Sequence, residues 1–96
     1  MPDPHRSAAA RVRAALKAAG VEFSSSYSSR IRGWRNWSRG VTVEVGHRDM
    51  LARVIAHGDI REYREKDLAR AVAALRTAGF TLSDDGRVTA VPDARR

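Results

Sequence analysis

Apolar residues recur at three- and four-residue spacing in two stretches of the chain, which is the pattern of a helix with one face turned to a core. The first stretch follows a short Pro-containing lead; Ser7 is its expected N-cap, and it runs through about Ala19 to Gly20. The second is "REKDLARAVAALRTAGF", which is rich in helix-favouring alanine and ends at Gly79. Its inward stripe consists of Leu68, Ala71, Val72 and Leu75. The spacing predicts two helices.

Alternation of apolar and polar residues marks the strands. "GVTVEVG", residues 40–46, is the clearest case, because its valines point one way and its threonine and glutamate the other. "VEFSSSYSSRI", residues 21–31, alternates more weakly and is either a polar-rich strand or a flexible serine loop. "WRNWSRG", residues 34–40, is predicted as a loop. "FTLSDDGRVTAV", residues 80–91, predicts a hairpin that turns at Asp85-Gly86.

Residues 50–57 fit either element. As a strand, they place Met50, Ala52, Val54 and Ala56 on one face; as a helix, they begin at Asp49 and end at Gly58. We favour the strand, because "AHGDIREY" is typical of a tight turn that leads into a further short strand.

Together these elements predict an α+β protein with an N-terminal helix, an antiparallel β-meander, a second long helix and a C-terminal β-hairpin. A chain of 96 residues makes one domain, 1–96, with flexible ends at 1–5 and 92–96. A helix at 50–57 would instead give an order that resembles a winged helix-turn-helix. In that alternative, DNA contacts would come from Arg64, Arg70 and Arg76, with Arg87 on the wing.

The cysteine count, the spacing of two of the histidines and the absence of known catalytic motifs give no indication of catalysis or of a metal or cofactor site. There is no cysteine, so disulfides and thiolate metal sites are excluded. His47 and His57 lie ten residues apart, ~33 Å along a strand or ~15 Å along a helix, so neither element brings them to one metal. No phosphate-binding glycine loop or paired-carboxylate motif occurs. We therefore expect a protein that is not an enzyme and binds no cofactor.

No run of about 18 apolar residues occurs, and the N-terminus lacks the apolar segment of a signal peptide. We therefore expect a cytoplasmic protein that does not enter membranes. Of the 18 basic residues, all but Lys17 and Lys66 are arginine, a bias that suits a GC-rich bacterial or phage genome.

Charge is distributed unevenly along the chain. Residues 1–40 contain eight basic and two acidic residues, a net of +6, whereas residues 41–96 contain ten and nine, a net of +1. An asymmetry of this kind is typical of a protein with a polyanion-binding face.

The segment "SSSYSSRIRGWRNWSRG", residues 24–40, concentrates the chemistry suited to nucleic acid. Its arginines supply permanent charge in a fork that matches phosphate, and its tryptophans offer faces on which unpaired bases stack. The candidate residues are Arg30, Arg32, Trp34, Arg35, Trp37 and Arg39. The opposing interpretation is structural: a small core needs large aromatic side chains, so we expect one tryptophan buried and one exposed.

Further cations stand on the two predicted helices: Arg13 and Lys17 on the first, Arg64 and Lys66 on the second. With 50–57 as a strand, the order of elements over residues 6–79 resembles a double-stranded-RNA-binding domain, although the Gly-Pro-x-His loop of that family is missing. The resemblance implies that the loop Trp34 to Arg39 enters a minor groove. It also implies that Arg61, Arg64 and Lys66 meet phosphates across the major groove.

Two functions therefore remain open. The first is non-catalytic binding of DNA or RNA without sequence specificity, mainly through phosphate contacts. The second is a small phage-type or accessory protein that binds and modulates a host protein, since tryptophan and arginine also anchor protein interfaces. An edge strand such as 41–45 could also pair with a second copy to form a homodimer.

Overall fold

The computed structural model describes residues 3–24, 26–28, 35–37 and 39–92, with the backbone alone for 26–28 and 35–37. It has the predicted α+β architecture, with a helix, antiparallel strands, a second helix and a C-terminal hairpin. The elements are α1 (Pro4–Ala18), β1 (Ser26–Ser28), β2 (Arg35–Trp37), β3 (Gly40–His47), β4 (Met50–His57), α2 (Arg61–Thr77), β5 (Thr81–Leu82) and β6 (Arg87–Ala90).

The main sheet contains four antiparallel strands in the order β3-β4-β6-β5. Both helices pack on one face of it, where the alternation of the strands directs their small aliphatic side chains. Fully buried members of this core include Val12, Leu16, Val41, Val54, Leu75 and Val88. The other face, here called the open face, is covered by neither α1 nor α2. By the same alternation it carries Thr42, Glu44, Leu51, Arg53, Ile55 and Arg87.

Of the two alternatives for residues 50–57, the strand is the one that forms. Its pairing with β3 sets Val41 opposite Ala56 and Val43 opposite Val54, so the valine face of β3 and the small apolar face of β4 share one core. The further short strand predicted after the tight turn is wrong. Helix α2 begins there instead, at Arg61, and an ion pair of 2.9 Å between Arg61 and Glu65 supports its first turn.

Helix α1 begins earlier than predicted, so the expectation that Ser7 is its N-cap is wrong. Asp3 is the N-cap, and its carboxylate accepts a hydrogen bond of 2.9 Å from the backbone N–H of His5. Pro4 suits the first helical position, where its missing N–H has no partner to lose. The helix therefore takes in Pro4 and His5 of the predicted flexible lead.

Both helices end as their glycines predict. Gly20 follows α1 with a φ of 77°, and its N–H donates to Lys17 O while Val21 N–H donates to Leu16 O. This is the Schellman arrangement, in which the residue after the glycine packs back on the helix. Val21 is buried accordingly. Gly79 ends α2 in the same way.

The C-terminal hairpin forms where the sequence predicts it. Leu82 on β5 lies opposite Val88 on β6, and both are buried. The turn also joins β4, because Val54 N–H donates to Gly86 O at 2.8 Å. Strand β6 thus enters the sheet beside β4 only after α2. In this respect the main sheet differs from the element order on which the resemblance to double-stranded-RNA-binding domains rested.

Candidate nucleic-acid interface

The arginine- and tryptophan-rich segment contains a second, separate sheet. Strands β1 and β2 pair with each other in an antiparallel ribbon, with Ser26 opposite Trp37 and Ser28 opposite Arg35. Of the two alternatives left open for residues 21–31, the strand is the one that forms over 26–28. The loop prediction for 34–40 is wrong over 35–37, because pairing across the ribbon, and not local periodicity, makes these residues a strand.

Several predicted site residues belong to the ribbon segment. Arg35 and Trp37 lie on β2, whereas Arg30, Arg32 and Trp34 lie outside the described residues. The predicted burial of one tryptophan and exposure of the other concerns side chains that also lie outside them.

The chain enters and leaves the ribbon at one place, the outer edge of β3. Ser24 N–H donates to Val41 O at 2.9 Å and Val41 N–H donates to Glu22 O at 3.0 Å, a short parallel pairing alongside β3. Gly40 permits this approach, since a Cβ there would lie 2.7 Å from Ser24 N. We call the surroundings of this pairing the ribbon root: residues 22–24, the start of β3, Gly58, and α2 from Tyr63 to Arg70.

Within the ribbon root, Arg39 links the start of β3 to helix α2. Its Nε and one terminal nitrogen donate to the two carboxylate oxygens of Asp67 at 3.0 and 3.1 Å, and its guanidinium lies 4.3 Å from the centre of the Tyr63 ring. The hydrogen bonds that Arg39 donates to the Asp67 carboxylate raise the pKa of Arg39, which stays charged. Half of the Arg39 side chain is still exposed. Arg39 therefore acts first as an anchor between β3 and α2, and the exposed half of its side chain remains accessible to a ligand.

Arg13 and Lys17 stand on α1 beside the same edge of the sheet. The guanidinium of Arg13 donates to Val43 O at 3.0 Å, two residues along β3 from the ribbon root. Lys17 is exposed one helical turn later. A carbonyl oxygen does not neutralise a guanidinium, so this edge keeps both positive charges.

Arg64 and Lys66 stand near the start of α2. Arg64 donates to Gly58 O at 2.6 Å, and Gly58 in turn packs against the side chain of Arg39. Lys66 is exposed, one residue before Asp67. The structure thus brings Arg64 and Arg39 together at the ribbon root, with Arg13 farther along β3.

Sequence reasoning missed the contribution of Tyr63 and Asp67, and it named Arg70 only as a DNA contact of the winged helix-turn-helix alternative. They follow one another at spacings of four and three residues, so they share one face of α2. A cleft of ≈ 150 Å³ is lined by Asp67 and Arg70 together with Arg39, Val21 and Glu22. The helical spacing was visible in the sequence. The partner Arg39 was not, because it lies 28 positions away from Asp67.

The histidines have structural surroundings. His57 lies 2.7 Å through Nε2 from the Thr42 hydroxyl, and burial lowers the pKa of its imidazole. His5 donates through Nε2 to Arg48 O at 2.9 Å and so ties α1 to the β3–β4 turn. Within the described ranges, no three metal-ligating side chains come together. Neither α1 nor α2, the helices of the described part, is long and apolar enough to cross a membrane.

Comparison with known proteins adds no relationship: the chain matches no protein-family model, and no curated protein or solved structure is significantly similar to it.

Proposed function

We propose that the protein is a non-catalytic nucleic-acid-binding module that uses the β1–β2 ribbon and its root to hold a phosphate backbone. The observation that carries the proposal is the separation of the ribbon from the main sheet, in the segment richest in arginine and tryptophan. A two-stranded antiparallel ribbon fits the major groove of duplex DNA. Aromatic side chains next to arginine also suit unpaired bases.

The distribution of ion pairs supports the same proposal. Three arginines between residues 61 and 87 pair with nearby carboxylates: Arg61 with Glu65, Arg76 with Asp84 and Arg87 with Asp85. Arg64, in the same region, donates to a backbone carbonyl instead. On α1, Arg11 and Arg13 also donate to backbone carbonyls, those of Pro92 and Val43. Among the described arginine side chains of residues 1–40, Arg39 pairs with Asp67 and Arg6 has a long contact of 3.9 Å with Asp3, whereas no described carboxylate pairs with Arg11 or Arg13.

The test measures binding of single-stranded DNA, duplex DNA and duplex RNA over a range of salt concentrations, by fluorescence anisotropy. For duplex DNA, the slope of log affinity against log salt falls by ~0.9 for each lost phosphate contact. The double variant R32Q/R35Q should therefore lower the slope by ~2. The matched control R61Q/R76Q removes the same charge from α2, where both arginines pair with carboxylates. It should leave the slope nearly unchanged.

Trp37→Ala tests stacking separately. If Trp37 stacks on a base, its loss weakens binding of single-stranded DNA by ~1–3 kcal/mol and changes the salt slope little. Two results would instead favour the second candidate, a protein-interaction module anchored by the same residues. One is an equal fall of the salt slope in R32Q/R35Q and in the control R61Q/R76Q. The other is an affinity for nucleic acid that does not change with salt concentration.

Asp67→Asn should strengthen binding. The substitution removes the carboxylate that neutralises Arg39 but keeps one oxygen to accept from it, so the anchor is weakened and the net charge of the ribbon root rises by one. We expect a several-fold gain in affinity at low salt, and a loss of stability of about 1 kcal/mol or less, because the pair is partly exposed. Asp84→Asn makes the same charge change away from the root, at a carboxylate that pairs with Arg76, and should have a smaller effect. A loss of affinity in Asp67→Asn would mean that the Arg39–Asp67 pair contributes more to binding, by positioning Arg39, than the added positive charge does.

A further inference from the structure

A second basic site lies at the far end of β3 and β4 from the ribbon root. A cleft of ≈ 310 Å³ is lined there by His47, Met50, Arg53 and Arg87. Strand β3 runs from Gly40 at the root to His47 at the cleft, and seven steps of a strand cover ~23 Å. The cleft is therefore a separate place on the molecule.

Arg53 is the unusual residue of this cleft. It lies on β4 directly opposite Glu44 on one side and Arg87 on the other. It forms no ion pair with Glu44 or with any other described carboxylate. Its Nε is buried without a hydrogen-bond partner. A buried donor without an acceptor costs free energy, and so does a like charge directly opposite on the neighbouring strand. A bound anion would remove both costs.

The carboxylates near these arginines do not line the cleft. Asp85 forms an ion pair with Arg87 at 3.2 Å but lines the neighbouring cleft, on the α2 side of Arg53. Glu44 lines neither of the two. Two guanidinium groups and one imidazole thus border a space that no acidic side chain lines, although Arg87 also forms an ion pair with Asp85.

We propose that this cleft binds a phosphomonoester, the terminal phosphate of a small molecule or of a nucleic-acid strand. Guanidinium groups match phosphate oxygens in pairs, and the three basic side chains suit the three terminal oxygens of such a group. Arg53 carries the site, because no ion pair has to be broken before it turns towards a ligand. This proposal is independent of the ribbon and goes beyond backbone binding.

The experiment titrates the uniformly ¹⁵N-labelled protein with inorganic phosphate, at constant ionic strength maintained with chloride, and follows its amide resonances. We expect saturable shifts for residues 47–53 and for Arg87. R53Q and R87Q should each weaken the affinity at least tenfold. R61Q, which removes an exposed arginine from α2, should leave it within twofold, as should R32Q/R35Q on the ribbon segment. Unchanged resonances elsewhere in each variant establish that the fold is intact.

Two oligonucleotide titrations identify the source of the phosphate. A single strand with a 5′-phosphate that binds more tightly than its 5′-hydroxyl counterpart, with the preference lost in R53Q, assigns the site to strand ends. Equal binding of the two strands, together with saturable binding of a nucleoside 5′-monophosphate, assigns it to a small molecule. The proposal is overturned if phosphate gives no saturable shifts, or if R61Q lowers the affinity as much as R53Q. Because ribbon variants and cleft variants are scored separately, failure here leaves the ribbon proposal untouched.

Discussion

Gly86→Ala should destabilise the protein by roughly 2–6 kcal/mol, a combination of backbone strain and close contact. Gly86 is buried in the turn between β5 and β6 and has a φ of 90°, which side-chain-bearing residues rarely adopt. A Cβ there would lie 2.4 Å from Val54 O and 3.1 Å from Leu68 Cδ1. The turn would have to move away from β4, and the hydrogen bond from Val54 N–H to Gly86 O would be strained or lost. Urea denaturation followed by circular dichroism measures the change.

Gly20→Ala is the matched control. Gly20 also has a positive φ, 77°, but a Cβ there meets no atom within 4 Å. Its substitution should cost only the backbone strain, ~1–2 kcal/mol. Similar losses in the two variants would show that the contact with β4 is not what makes Gly86 necessary.

What could be predicted from the sequence was local in origin. The Leu68 to Leu75 stripe, the valine alternation of β3 and the turn at Asp85-Gly86 each depend on residues close together in the chain. Their periods are those of a helix and a strand, and glycine marks their ends. These signals were sufficient for the α+β class and for most of the elements.

What could not be predicted depended on partners distant in the sequence or on competing local signals. Residues 35–37 have no strand periodicity of their own and become β2 by pairing with 26–28. Residues 61–63 read as a strand after a turn but belong to α2, whose length outweighs a short extended segment. At α1, both Ser7 and Asp3 are good caps, and Pro4 decides in favour of Asp3.

The candidate interface also has a part that the sequence could predict and a part that it could not. Its composition was evident from residues 24–40, but the pairing of Arg39 with Asp67 and Tyr63 required the fold. So did the contrast between arginines that face carboxylates and arginines that face carbonyls, since a sequence shows only the net charge. Arg53 is a further case: nothing in "MLARVIAH" indicates that its Nε is buried without a hydrogen-bond partner.

Leu75→Ala should destabilise the protein by ~2–5 kcal/mol, the usual cost of removing a fully buried leucine and leaving a cavity. Leu75 has no exposed surface and belongs to the core shared by both helices and the main sheet. A domain of this size is stable by ~5–15 kcal/mol, so the change takes away a large part of the total. At ~4–8 °C per kcal/mol, it should lower Tm by ~8–40 °C, measured by differential scanning calorimetry.

Leu68→Ala is the same substitution on the same helix, so its effect on helix propensity is equal. Leu68 is only partly buried, where it packs against the edge of the core near Gly86. It should cost about half as much as Leu75→Ala, because part of its side chain already faces water. Equal losses at the two positions would mean that Leu68, in the middle of α2, is buried more deeply than its packing at the edge of the core indicates. A small loss at Leu75 would contradict the placement of the core between α2 and the sheet.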